Sequence, residues 1–296
     1  MQTELPNPRT AAIDRAPTIE ILRLMNDEDA AVPGVVRAAL PAIAAAVDAI
    51  VAGIERGGRL IYVGAGTSGR LAAIDAAECV PTFNTDPGLV ICLLAGGEGA
   101  MTRSVEAAED DPDAGRAELL ARGLTANDVV VGVAASGRTP YVLGAVEAAR
   151  AAGAPTAGIA CSAPSPLLEA VDIPIPAVTG PEVIAGSTRL KAGTAQKLIL
   201  NMLTTASMIR LGKVYRNRMV DVRASNDKLV WRARRMIAEL IGVDEGAAGE
   251  LLDRAGGQVK TAIVVGLLGV SADEARARLA AAKGRLAAII EENGNP

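Results

Sequence analysis

Histidine is absent from the 296 residues of this chain, and only three cysteines are present. Without imidazole there is no His general base, no Ser-His-Asp triad and no His-ligated metal site. Acid–base chemistry is therefore left to Asp, Glu, Lys, Tyr or Cys side chains. The cysteines Cys79, Cys92 and Cys161 are odd in number and widely spaced, which favours three buried, reduced thiols over a disulfide framework.

An excess of positive charge is also missing. Lys and Arg total 30 against 34 Asp and Glu, and the resulting net charge of −4 argues against a nucleic-acid partner. The longest uncharged apolar run, residues 261–270, is shorter than the ~20 residues of a membrane-spanning helix. The first residues lack the basic and then apolar pattern of a signal peptide. The sequence therefore predicts a cytoplasmic, globular protein with no membrane partner.

Apolar periodicity predicts an α/β region. Two helices come first, over residues 18–25 and 36–54, the second from apolar residues spaced alternately by four and three. Five apolar, non-alternating segments then favour a parallel sheet covered on both faces. These predicted strands are residues 60–63, 89–94, 129–133, 156–160 and 173–178. Helices are predicted after the first three strands, ending near residues 78, 110 and 152, and a long helix is predicted over 191–211.

The tail has a different character. Four helices are predicted there, over residues 227–241, 245–255, 259–268 and 271–292. We therefore expect a doubly wound, five-stranded parallel sheet in residues 1–225, with a helical lead-in, and a small all-α module in residues 226–296.

The loop after the first strand, GAGTSG at residues 64–69, favours binding of a phosphate group. Glycines let the backbone approach an anion, and the following helix presents its N-terminus to that anion. Gly66, Thr67 and Ser68 are the candidate ligands. The same letters fit a dinucleotide fingerprint, but the acid expected about 20 residues on is missing, since Glu98 lies too far along. A purely structural tight turn is the remaining alternative.

A second loop of this kind follows the third strand, at residues 135–140 (ASGRTP). Its candidate ligands are Ser136, Gly137 and Thr139, and Pro140 suits the first turn of the next helix. The carboxyl ends of parallel strands share one edge of the sheet, where doubly wound folds bind ligands. Two such loops together predict a phosphorylated small molecule as the partner.

Two acidic segments, residues 75–78 and 106–111, supply candidate acids and bases. Solvated helix surfaces are the ordinary interpretation of such segments. Glu78, however, precedes Cys79-Val80-Pro81, and a glutamate removed from water by apolar neighbours becomes a usable acid or base. Ser187 and Lys191, at the start of the long helix, are either part of a capped helix terminus or part of a lip that neutralises a phosphate or carboxylate.

Longer segments of the chain resemble a known family. YVGAGTSGRLAAIDAAECVPTF, AGGEGAMTRSVEAAEDD, VVVGVAASGRTPY and VIAGSTRLKAGTAQKLILNML are similar to the sugar isomerase (SIS) domain of N-acetylmuramic acid 6-phosphate etherases. The N-terminal segment NPRTAAIDRAPTIEILRLMNDEDAAV and the tail are similar as well, so the resemblance covers nearly the whole chain. The tail resembles a ubiquitin-associated-like helical module.

The resemblance implies a cytoplasmic homodimeric lyase that uses no metal or cofactor. Its substrate is N-acetylmuramate 6-phosphate, which is cleaved at the D-lactyl ether to N-acetylglucosamine 6-phosphate and D-lactate. The two functional glutamates of the family fall on Glu78 and Glu109. We expect Glu78 to protonate the departing ether oxygen and Glu109 to be the base at C2, although the two roles can also be exchanged.

Two other functions fit a fold of this kind. A non-enzymatic phosphosugar sensor uses the same loops without turnover, as in glucokinase regulatory protein, and an aldose–ketose isomerase needs no leaving-group acid.

The distance from Glu78 to the first phosphate loop is large for one substrate. Glu78 lies ~13 Å beyond Gly69 if the helix is continuous, and a hexose phosphate barely spans that distance. Either the helix ends early or a second subunit contributes a glutamate.

Overall fold

The computed structural model describes residues 2–103, 105, 107–222 and 227–292. The chain forms two compact units. The first contains residues 1–78 and 86–205, and the second contains residues 79–85 and 206–296. The second unit therefore begins before residue 226, the boundary expected from the sequence, because Val220 already packs into its core.

A five-stranded parallel sheet forms the centre of the first unit, as the sequence predicts. The strands are β1 (Leu60–Gly64), β2 (Val90–Leu94), β3 (Val129–Val133), β4 (Thr156–Ala160) and β5 (Ile173–Pro176). Their spatial order is β2-β1-β3-β4-β5. Every residue of β1, β3 and β4 is buried, which explains why these strands show no polar alternation.

Helices cover both faces of this sheet. They are α1 (Thr18–Asp29), α2 (Val32–Glu55), α3 (Gly66–Phe83), α4 (Pro112–Ala121), α5 (Pro140–Ala151), α6 (Pro166–Ala170) and α7 (Lys191–Arg210); the last residues of α3 and α7 belong to the second unit. α5 and α4 bury their apolar residues against Ile61, Val63 and Val130. α2 packs on β5, β1 and β3. Residues of opposite parity on the strands therefore face different helices.

One apolar segment, Thr18–Glu55, is long and apolar enough to cross a membrane by length and composition alone. In the structure it is divided into α1 and α2. Val36, Ile43 and Ile50 are buried on one side of α2. Because α2 lies on the sheet, this hydrophobicity also suits a core helix.

The prediction of a helix that ends near residue 110 is wrong. Among the described residues of this stretch, the helical structure consists of two short 3₁₀ turns, Glu98–Met101 and Ala108–Asp110. Ala107, inside the predicted helix, has a positive φ of 60°, which a continuous helix cannot accommodate. The true helix, α4, starts later, where the Asp111 carboxylate accepts the N–H groups of Asp113 and Ala114 at 3.0 Å. Neither α4 nor α6 was predicted.

The second unit is a helical module with a short hairpin. Its elements are β6 (Val214–Tyr215), β7 (Arg218–Met219), α8 (Asp227–Ile241), α9 (Glu245–Arg254), α10 (Val259–Leu268), α11 (Ala272–Ala281) and α12 (Leu286–Glu292). The single helix predicted over residues 271–292 is two helices, because Lys283 and Gly284 have positive φ and turn the chain between them.

Candidate active site

A cavity of about 350 Å³ opens in the first unit beside the sheet. β1 and β3 are neighbours, with Gly64 paired to Val133, and the chain leaves this point in opposite directions along the sheet. Such a switch point is where doubly wound folds bind ligands. Both predicted loops line the cavity. Its lining is Glu4, Ala65, Gly66, Thr67, Ser68, Glu109, Asp110, Ala135, Ser136, Arg138, Thr139, Pro140 and Thr188.

The first loop presents the N-terminus of α3 to this cavity. Gly66 begins the helix with φ of +53°, and a Cβ there would meet no atom within 4 Å, which agrees with an open space for a ligand. The N–H groups of the first helical turn, including those of Thr67 and Ser68, have no acceptor within the helix. This loop can therefore donate several hydrogen bonds to an anion.

The hydroxyl of Ser68 is used differently from the expectation. It donates to Oε1 of Gln196 on α7 at 3.0 Å, and both side chains are buried. Nε2 of Gln196 has no hydrogen-bond partner among the residues that the structure describes. Since the single hydroxyl proton points to Gln196, Ser68 offers the cavity its backbone N–H rather than its side chain.

The second loop adds hydroxyl groups and a positive charge. Thr139 is the N-cap residue of α5, but its side chain makes no capping bond. Ser136 accepts the N–H of Arg138 at 3.2 Å, and Arg138 itself lines the cavity. Gly137 does not line it: a Cβ at that position would lie 2.3 Å from Oγ of Ser165. The absence of a Cβ at Gly137 therefore lets the loop pack closely against Ser165.

The two expected glutamates have different positions. Glu109 is exposed and lines the cavity, where Asp110 lies beside it. Glu109 also lines an adjoining cavity of about 390 Å³ that reaches Arg70. Glu106 lies outside the described residues.

Glu78 does not line either cavity. α3 continues past it to Phe83, which places Glu78 about 18 Å along the helix axis from Gly66. The structure therefore excludes the alternative in which α3 ends before Glu78. The expected desolvation of Glu78 is also wrong for the single chain, because Glu78 is exposed while Ala76 and Cys79 face inward.

The buried acid of this segment is Asp75. Its carboxylate accepts hydrogen bonds from Asn201 at 2.7 Å, Tyr62 at 3.1 Å and Thr204 at 3.2 Å. Burial raises the pKa of Asp75, although these three donors oppose the effect. Asp75 therefore joins α3 to β1 and α7 instead of meeting a ligand.

The start of α7 departs from the expectation as well. The ammonium of Lys191 is buried in an ion pair with Glu28, which also pairs with Arg9 at 2.9 Å. Lys191 is therefore not a free cation at the cavity, and Ser187 does not line it either. Thr188, the next residue, does.

The cap of α7 comes from a distant residue, not from a Ser or Thr. The carboxylate of Glu182 accepts the N–H groups of Lys191 at 3.0 Å and Ala192 at 2.9 Å. Burial raises the pKa of Glu182, and these two N–H groups act in the opposite direction.

The cysteines supply no nucleophile or base at the cavity. All three are free thiols; Cys79 and Cys161 are buried and Cys92 is partly buried. Burial raises the pKa of Cys92 and of Cys161 to about 12, so both stay protonated near neutral pH. Across the described ranges, no group of three or more Cys, Asp or Glu side chains is arranged to hold a metal ion. The acidic side chains that line this cavity are Glu4, Glu109 and Asp110.

Sequence reasoning missed three lining residues that the structure brings together. Glu4 reaches the cavity from the N-terminal segment, far from either loop in the sequence. Thr188 and Arg138 lie inside segments that the sequence singled out, next to the residues chosen. A basic residue within a hydroxyl-rich loop is a signal that could have identified Arg138.

The fold and this site define an SIS-domain protein. Residues 113–206 match the SIS domain family, and residues 42–150 match the N-terminal SIS domain of glucokinase regulatory protein. Residues 216–259 match the C-terminal lid domain of that regulator.

Full-length relatives are more specific. An N-acetylmuramic acid 6-phosphate etherase of Streptomyces coelicolor is 56% identical over 98% of this chain and 93% of its own length. Etherases of the same name from Streptomyces avermitilis and Cutibacterium acnes are 55% and 53% identical, each over 98% of this chain and over 93% and 96% of their own lengths. The chain belongs to the N-acetylmuramic acid 6-phosphate etherase family.

Proposed function

We propose that this chain cleaves the D-lactyl ether of N-acetylmuramate 6-phosphate, giving N-acetylglucosamine 6-phosphate and D-lactate during cell-wall sugar recycling. One observation carries the proposal: Glu109 and both anion-binding loops line a single cavity at the switch point of the sheet. Relatives above 50% identity that bear the etherase name agree with it.

The phosphate group is held by the two loops. The start of α3, the hydroxyl residues Thr67, Ser136 and Thr139, and the basic residue Arg138 line the same cavity. Hydrogen bonds to an ionised group are the stronger kind, so this end of the cavity anchors the substrate.

Replacing Thr139 with alanine is expected to raise KM for the phosphorylated sugar roughly tenfold, the effect of losing one hydrogen bond to a charged group. kcat should change less, since the phosphate does not react. Steady-state kinetics with Thr18→Ala, an exposed threonine on α1, as the matched control checks this. Equal KM in Thr139→Ala and wild type, or equal activity on unphosphorylated N-acetylmuramate, would contradict phosphate anchoring by this loop.

The ether is broken by elimination and hydration. Opening of the sugar ring exposes an aldehyde at C1, which makes the proton at C2 acidic. Glu109 removes that proton, and the C3–O bond breaks as the lactyl oxygen leaves with a proton from Glu78. Water then adds at C3 and gives a proton to Glu78, while Glu109 returns a proton to C2, so that both carboxyl groups regain their starting forms. Two carboxylates supply every proton transfer, so the reaction as proposed requires no metal or cofactor.

The chain works as a homodimer in which Glu78 of one copy completes the cavity of the other. The continuous helix and the position of Glu78 outside its own chain's cavity support this arrangement. Ile74 and Ala77 are exposed on the same side of α3 as Glu78. An apolar surface of this kind beside an acid suits burial by a second subunit, which would also remove water from the acid.

Release of D-lactate distinguishes this function from the alternatives. The matches to two domains of glucokinase regulatory protein favour, as a second candidate, a sensor that binds phosphosugars without turnover. A sensor or an aldose–ketose isomerase releases no D-lactate from N-acetylmuramate 6-phosphate.

The proposal also places the protein in the cytoplasm, where the phosphorylated sugar and reduced thiols are both expected.

Isotope labelling tests the bond that is cleaved. In heavy water, elimination predicts deuterium at C2 of the amino sugar. In ¹⁸O-labelled water it predicts label at C3 of the amino sugar and none in D-lactate, because the lactyl fragment keeps the ether oxygen. Mass spectrometry of both products gives the answer. Labelled D-lactate with an unlabelled sugar would show attack at the lactyl carbon and would overturn the mechanism while leaving the overall reaction intact.

A further inference from the structure

Glu4 brings a third acidic residue, besides Glu109 and Asp110, to the cavity that both anion-binding loops line. It comes from the N-terminal segment, and it lines the cavity together with both loops and Thr188. The backbone on either side of it is fixed. The carbonyl of buried Thr3 accepts the N–H of Gly186 at 2.9 Å, and the hydroxyl of Thr10 donates to the carbonyl of Val183 at 2.8 Å.

The exposed side chain of Glu4 lies against the backbone of Gly186. A Cβ on Gly186 would lie 2.8 Å from Oε2 of Glu4, so a larger residue there would require the carboxylate to move. The carboxylate makes no hydrogen bond or ion pair with any residue that the structure describes. The hydrogen bonds that fix this segment are made by other residues, and Glu4 therefore has no visible part in fixing the fold.

An unpaired carboxylate weakens anion binding unless it meets a hydrogen-bond donor. The phosphate of a sugar phosphate cannot be that donor, whereas its hydroxyl and acetamido N–H groups can. We propose that Glu4 is a substrate-binding residue that accepts a hydrogen bond from a hydroxyl or amide N–H of the sugar, so that the cavity selects a sugar phosphate over phosphate alone. This inference rests on the proposed function for the identity of the sugar.

Two ligands with opposite expectations test this role. In Glu4→Gln, KM for N-acetylmuramate 6-phosphate should rise roughly tenfold, the effect of losing a charge-assisted hydrogen bond. Inorganic phosphate, as a competitive inhibitor, should bind equally well or better, because a negative charge has left the cavity. Asp14→Asn is the matched control: it removes an exposed carboxylate of the same N-terminal segment that does not line the cavity.

Equal weakening of both ligands would show that Glu4 only supports the shape of the site, and no change in either would show that it does not contact the sugar. A fall in kcat without a change in KM would assign it to another step. Calorimetric titration of the same variants with both ligands keeps the test independent of turnover. If the wild-type chain binds the sugar phosphate but releases no D-lactate, the proposed function fails while the role of Glu4 is still decided by the titration.

Discussion

Replacing Glu109 with glutamine is expected to lower kcat by about two orders of magnitude or more, the usual scale for loss of a general base. Glutamine keeps the size of the side chain and the hydrogen-bonding oxygen but cannot accept the C2 proton. The phosphate loops are unchanged in this variant, so KM should change much less. Steady-state release of D-lactate measures both constants, and Glu169→Gln, an exposed glutamate on α6, is the control.

Hydrogen exchange at C2 separates the two glutamates. If Glu109 is the base, Glu109→Gln loses both exchange at C2 in heavy water and D-lactate release. If Glu78 is the acid, Glu78→Gln loses D-lactate release by a similar factor while the substrate still exchanges its C2 proton. The reverse pattern would exchange the two roles. Near-normal turnover in either variant would remove that residue from the mechanism.

The sheet could be predicted from the sequence because its signals are local. The non-alternating runs of β3 and β4 give their strands with the bounds that the structure has. The loops after β1 and β3 can also be predicted, because a short stretch of glycine and hydroxyl residues between a strand and a helix is enough to indicate such a loop. Their meeting at one edge follows from the parallel topology alone.

Features that depend on contacts between distant segments could not be predicted. Lys191 and Glu28 are far apart in the sequence, and nothing at either position indicates that they form a buried pair. The same holds for Ser68, whose hydroxyl donates a hydrogen bond to Gln196. In both cases a polar side chain chosen as a ligand is used to satisfy another buried group.

The prediction that Glu78 is removed from water failed for a different reason. Its sequence neighbours Cys79, Val80 and Pro81 are apolar, but neighbours along a helix point in different directions. Cys79 is buried, whereas Val80 and Pro81 are exposed like Glu78. Local composition therefore gave the wrong environment, and a helical wheel of α3 would have shown Ile74, Ala77 and Glu78 on one face.

A hybrid of two inactive chains is expected to be active if the site is shared between subunits. Pairing a Glu78→Gln chain with a Glu109→Gln chain gives one site with both glutamates intact and one site with neither. Co-expression with two different affinity tags and sequential purification yields the hybrid dimer. We expect it to have about half the turnover of the wild-type dimer, since one of the two symmetric sites is restored. Each parent homodimer should retain about 1% or less of the wild-type turnover, because it lacks either the general acid or the general base in both sites.

The reciprocal hybrid makes the test decisive. A wild-type chain paired with a chain carrying both Glu78→Gln and Glu109→Gln has one glutamate missing from each shared site, so this dimer should be nearly inactive. If each site were built from a single chain, the outcome would reverse: the wild-type chain would keep about half of the dimer's turnover and the first hybrid would have none. The helix geometry favours the shared site, because α3 carries Glu78 about 18 Å past the loop that begins it while Glu109 stays at the cavity.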